Sequence, residues 1–170
     1  RLRRHRQPSH PRRRRLGPSR LNLHRMQLLL ATLCDHAELT PEGKLNVHGA
    51  FYDLAAPGFP AKQQEMVLAM AVEWDPEDEG RHQFKVELTG MDAPKPSFTV
   101  EGHTDVSRRD DGDRPARTFL VMPLEDIVFP RAGRYRMTVR LKGIEVDGPT
   151  LHLWEVPANV PGEGPPGAEA

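Results

Sequence analysis

A single cysteine, Cys34, in 170 residues excludes an internal disulfide and a four-thiolate zinc site. A reducing compartment, the cytoplasm, is the simpler expectation for such a chain. Aromatic residues make up 6% of the sequence, and no apolar run approaches the roughly 20 residues that cross a bilayer as a helix. No segment sustains a 3.6-residue apolar period, so long amphipathic helices are not expected. The glycines stand singly at turns, without a Gly-rich loop opening a helix and without a Gly-x-Ser-x-Gly motif, which removes the phosphate cradle and the nucleophile elbow. No internal repeat suggests a solenoid or propeller.

What the sequence does contain is strand pattern broken by 17 prolines and 14 glycines. The clearest case runs from Phe129 to Gly143. Tyr135, Met137, Val139 and Leu141 fall on one side, and Arg134, Arg136, Thr138, Arg140 and Lys142 on the other, so one face is dry and one wet. The turn Pro130-Arg131-Ala132-Gly133 entering at Tyr135 resembles the tyrosine corner of Ig-like sandwiches. Met26 to Cys34 is apolar on both faces, as a central strand covered on both sides would be. Lys44 to Leu54 reads as one strand. Glu65 to Trp74 and Gln83 to Thr89 read as a hairpin across the acidic turn Asp75 to Gly80. Ser97 to Val106 is polar enough to be a sheet edge. Thr118 to Met122, Asp126 to Phe129, and Leu151 to Val156 after a Gly148-Pro149 turn complete the set. The pattern predicts an all-β, Ig-like antiparallel β-sandwich of about seven to nine strands over residues 26–156, with disordered extensions at 1–25 and 157–170.

The formal net charge of zero conceals a split: residues 1–25 carry ten Arg and no acid, while residues 26–170 carry fourteen Lys and Arg against twenty-four Asp and Glu, a balance of −10. An Arg-rich arm can neutralise nucleic-acid phosphates, but no aromatic is interleaved to stack a base, so a nucleic-acid partner is not expected. Its composition reads instead as a disordered extension, or as sequence upstream of a start at Met26. Met26 to Cys34 also has the outline of a lipoprotein signal, yet its apolar stretch is short and Leu33 stands where that processing needs a small residue.

Leu29-Leu30-Ala31-Thr32-Leu33-Cys34-Asp35-His36-Ala37, then Gly43-Lys44-Leu45-Asn46-Val47-His48-Gly49-Ala50-Phe51, then Pro57-Gly58-Phe59-Pro60 and Gly133-Arg134-Tyr135, together resemble an uncharacterised bacterial family of small single-domain proteins. The resemblance covers residues 26 to about 156. It implies a β-sandwich and carries no assigned activity, cofactor or residue role. A nineteen-to-five preference for Arg over Lys fits a GC-rich bacterial genome.

Cys34, Asp35 and His36 form the tightest cluster of reactive side chains, and a thiolate beside an imidazole is what a cysteine nucleophile needs. In a regular strand Cys34 and His36 share a face and Asp35 turns away; the alternative reading is a packed thiol at a strand end, with Asp35 opening a loop. His36, His48, His82, His103 and His152 show no ligand spacing, so no metal is expected. The acidic turns Asp75 to Glu79 and Asp110 to Asp113 lack the spacing of a calcium loop and read as solvated charges. Phe51, Tyr52 and Phe59, with Pro57 and Pro60, form an aromatic and proline cluster that is either a binding patch or a lid over the sandwich end. The functional expectation is a non-enzymatic domain without cofactor that binds another protein or itself, with Ser97 to Val106 as the pairing edge. The alternative is a small hydrolase or metal-binding enzyme built on Cys34, Asp35 and His36.

Overall fold

The structure, a computed structural model, describes residues 26–107 and 115–157. The basic arm, most of the Pro- and Gly-rich tail, and the acidic turn at Asp110 to Asp113 lie outside the described residues. Nine strands follow one another among the described residues: β1 (Gln27–Leu39), β2 (Leu45–Phe51), β3 (Asp53–Ala56), β4 (Ala61–Glu73), β5 (Gly80–Gly90), β6 (Phe98–Val106), β7 (Arg117–Phe129), β8 (Gly133–Leu141) and β9 (Ile144–Glu155). They form a four-stranded sheet A, ordered β2-β1-β4-β7, and a five-stranded sheet B, ordered β3-β9-β8-β5-β6.

The core is what the alternating strands place between the sheets. Met66, Leu68, Met70, Val72 and Trp74 reach in from β4 and its end, and Phe84, Val86, Leu88, Tyr135, Met137, Val139, Leu141, Leu151 and Leu153 meet them from sheet B. Removing these side chains from water is the main term that offsets chain ordering. At the entry to β8 the tyrosine corner forms: the buried Tyr135 hydroxyl donates to the Arg131 carbonyl at 2.7 Å, and the ring meets Phe129 edge-on at 5.2 Å. At the opposite end, the buried Trp74 indole N–H donates to Thr118 Oγ1 at 2.8 Å and its ring stacks on His82.

Several expectations are corrected. β4 and β5 are not a hairpin: they belong to different sheets, and the acidic turn carries the chain across the core. Each strand's apolar side still points inward, because the two face one another instead of lying side by side. The stretch Lys44 to Leu54 is two strands, since the chain leaves sheet A at Tyr52 and enters sheet B as β3, which pairs with β9 in parallel. The sandwich is therefore antiparallel except for that short pair. Gly148-Pro149 is not a turn but an extra residue's worth of bulge inside β9, where Gly148 lies so close to Met137 that an added Cβ would stand 3.0 Å from its Cγ. The turn is instead Lys142-Gly143, both at positive φ, which suits a tight two-residue hairpin. Asp78 is not a solvated turn charge: it is buried, accepts the Asp75 N–H at 3.2 Å and takes the Lys142 ammonium.

β1 is central, with β2 and β4 as neighbours, but it is covered on one face only. The described residues form two layers, so the outer face of sheet A has nothing from them above it. β6 is an edge of sheet B, the place its polar sequence predicts.

Candidate functional site

Strand register assigns the outer face of sheet A residue by residue. Leu30 lies opposite Ala71, Thr32 opposite Ala69, and Cys34 opposite Val67. Ala71 in turn lies opposite Phe119, Ala69 opposite Val121, and Val67 opposite Pro123. Residues directly opposite share a face, and each of these alternates with an inward residue such as Leu33, Leu68, Met70 or Leu120. The small side chains Thr32, Cys34, Ala69 and Ala71 on the two central strands are buried, while Leu30, Val67, Phe119 and Val121 are half-buried.

Two interruptions of alternation extend this face. In β1 the burial runs buried, exposed, exposed, buried from Cys34 to Ala37, beside Gly49, whose φ of 64° only glycine adopts freely. An added Cβ at Gly49 would meet the exposed Asp35 carboxylate, which would have to swing aside, and the positive φ strains any other residue there. The interruption turns Ala37 to the side of Cys34, and Cys34, Ala37 and Ala69 form a second apolar cluster with Leu45, Val47, Val67 and Val121. Asp126, at φ 55°, marks the matching interruption in β7, where Leu124 and Ile127 both point inward. The outcome is an apolar surface running from Leu30 to the β1–β2 tip, where Leu39 is 50% exposed.

The predicted cluster of reactive side chains is not assembled as a nucleophile. Cys34 is buried, with its thiol 3.5 Å from the Val67 carbonyl. Burial, and secondarily the Asp35 carboxylate, pushes the thiol pKa up, away from the thiolate. His36 projects to solvent with a side chain 63% exposed, 4.0 Å from Glu38 and with its ring 6.0 Å from that of His48. Among the described residues, no three His, Cys, Asp or Glu side chains converge as metal ligands. Of the aromatic cluster, Phe51 and Phe59 pack against the core and Tyr52 alone is exposed. Beside them a pocket of about 290 Å³ is lined by Leu54, Pro57, Pro60, Gln63, Phe129 and Leu153 among others. Its one cation, Lys62, is paired with Asp126 at 2.8 Å.

Sequence reasoning singled out none of Ala69, Ala71, Phe119 or Val121 as functional. The available signal was the apolarity of both faces of β1, repeated in Val67, Ala69 and Ala71 of β4; among the described residues no third layer covers the second face. No helix among the described residues is long and apolar enough to cross a membrane. No curated protein sequence matches the chain. A family model described as a family of unknown function, DUF6941, matches residues 29–153, from the strand that carries Cys34 to the last strand of sheet B. The chain belongs to that family.

Proposed function

We propose that this chain is a binding module that performs no chemistry of its own, and that its working surface is the outer face of sheet A, which docks on protein. The observation that carries this reading is the apolar outer face formed by Leu30, Val67, Phe119 and Val121 around a floor of small side chains. A sheet face that stayed in water would be expected to alternate to polar residues, as the outer face of sheet B does. The edges support a face over an edge as the contact. β3 is four residues long, β7 is interrupted by Pro123 and the positive-φ Asp126, and β6 exposes Thr99, Glu101, His103 and Asp105. These features blunt edge pairing. The enzyme alternative gains nothing from Cys34, whose thiol is buried and held protonated while His36 faces solvent. The module works in a reducing, cytoplasmic setting, where a lone cysteine serves as packing; the Arg-over-Lys bias favours a bacterial one.

The test is comparative capture from host extract with wild type, Val121→Arg and Thr138→Arg. Val121 lies on the outer face of sheet A and Thr138 on that of sheet B, so the expected result is loss of bound protein with the first variant only. Capture that ignores Val121, or that fails equally with Thr138→Arg, overturns the assignment.

A further inference from the structure

We infer that the occupant of the outer face of sheet A is a second copy of the same chain, packed face to face about a two-fold axis that crosses the strands at the level of Thr32, Ala69 and Val121. This deepens the binding-module reading and rests on it.

The first argument is what the rest of the chain could supply. Residues 1–25 hold four leucines scattered among ten arginines, residues 108–114 are Arg, Asp and Gly only, and residues 158–170 contain one large apolar side chain, Val160. None has the composition to cover an apolar sheet. The second argument is area. Four strands at a spacing of about 4.8 Å, over about ten residues at roughly 3.3 Å each, present about 600 Å² in projection. That is of the order of the roughly 800 Å² per partner in a standard stable interface. Thr32, Cys34, Ala69 and Ala71 at its centre put no large side chain in the way of a second sheet.

The third argument is charge, and it selects the axis. Glu65 lies directly opposite Glu125, four residues from the Ala69–Val121 pair in one direction; Glu73 lies opposite Arg117, four residues from it in the other. The Glu73–Arg117 end is internally paired at 2.8 Å. The Glu65–Glu125 end is two like charges side by side, with no cation in ion-pair distance among the described residues. The nearby Lys62 is taken by Asp126. A two-fold axis through the Ala69 level reverses β7 over β7 of the second copy and brings Arg117 of each copy over Glu125 of the other. Each acidic end, unpaired among the described residues, then meets the end that carries Arg117. An axis along the strands would set the two acidic ends against each other, which the same charges disfavour.

Sedimentation equilibrium of the full chain, with Arg117→Glu and Glu125→Arg alone and in equimolar mixture, tests the inference. Both positions are exposed, so folding is not at stake. Wild type is expected to be a dimer, and each single variant to weaken association about tenfold or more, because each sets like charges over one another twice. The mixture is expected to regain wild-type association, since a heterodimer of the two variants keeps one contact in its original sense, Arg117 over Glu125, and restores the other with its signs exchanged. A dimer whose single variants are unaffected, or whose mixture shows no recovery, overturns this geometry. A wild type that stays monomeric overturns self-association altogether; the binding-module reading then stands or falls separately on whether captured protein depends on Val121.

Discussion

The outer faces of the two sheets are built from strands of comparable length, and they were solved for water in opposite ways. Sheet B presents Arg134, Arg136, Arg140, Lys85, Glu87, Glu101 and Glu145 between its inward residues, and these charges pair locally: Lys85 with Glu87 at 3.0 Å and with Glu101 at 3.3 Å, Arg140 with Glu145 at 2.7 Å. Sheet A presents Leu30, Thr32, Cys34, Val67, Ala69, Ala71, Phe119 and Val121, with charge only at the two ends of the face. Both sheets bury a full inner face in the same core, so stability of the monomer does not call for the difference. Water on one side and the proposed protein contact on the other would account for it.

The largest expected effect tests that division directly. Ala69→Arg drives a long charged side chain into the floor of the sheet A face, where Ala69 is fully buried. It should abolish association and cost about 1–3 kcal/mol of monomer stability by overpacking. Thr138→Arg, at the half-buried middle of the sheet B face, should leave association intact and change stability within about 0.5 kcal/mol. Chemical denaturation of each variant, read beside its sedimentation, separates the two effects. Equal losses on both faces would erase the contrast.

How much of this was legible beforehand depended on whether a pattern had one physical reading. In β8 the alternation of Tyr135, Met137, Val139 and Leu141 with arginines permits a single solution, and all four are buried. The polar run of β6 likewise identified an edge. For β1 the sequence showed two apolar faces, of which the second sheet covers one; apolarity alone cannot say what, if anything, covers the other. The false hairpin between β4 and β5 has a similar origin. Met66 to Trp74 and Phe84 to Leu88 alternate as they would in neighbouring strands, and the same alternation serves strands that face each other across a core. The extension of the apolar face through Ala37, Leu45 and Val47 was hidden because it depends on the backbone of Gly49, one glycine in a strand of ordinary appearance. A glycine within a strand pattern is the signal that could have flagged it.

The buried exception on sheet B gives the next effect in size. Lys142 leaves the β8–β9 turn to meet Asp78, whose carboxylate is 5% exposed, whereas the Arg140–Glu145 pair stands in solvent. Lys142→Met removes the cation and leaves Asp78 with the Asp75 N–H alone. Full burial would make this loss several kcal/mol; with Lys142 itself about a third exposed, water screens part of it, and about 1–2 kcal/mol is expected in urea unfolding. A loss no larger than that of Arg140→Met would mean that Asp78 is as wet as the rest of the sheet B charges.

The smallest effect is on that open pair, and it sharpens the comparison from the charged side. A double-mutant cycle on Arg140→Gln and Glu145→Gln should give a coupling of about 0.2–1 kcal/mol that shrinks as salt is added, because both side chains are roughly half exposed. Such a weak coupling is what a solvated face requires: its charges keep the sheet soluble and need not hold it together. Salt acts in the opposite sense on sheet A. Its face is apolar and residues 26–170 carry a balance of −10, so added salt should weaken the Arg140–Glu145 coupling while relieving the long-range repulsion between two copies. In a chain truncated to residues 26–170, association that falls with salt would place charge, not the apolar face, at the centre of the contact.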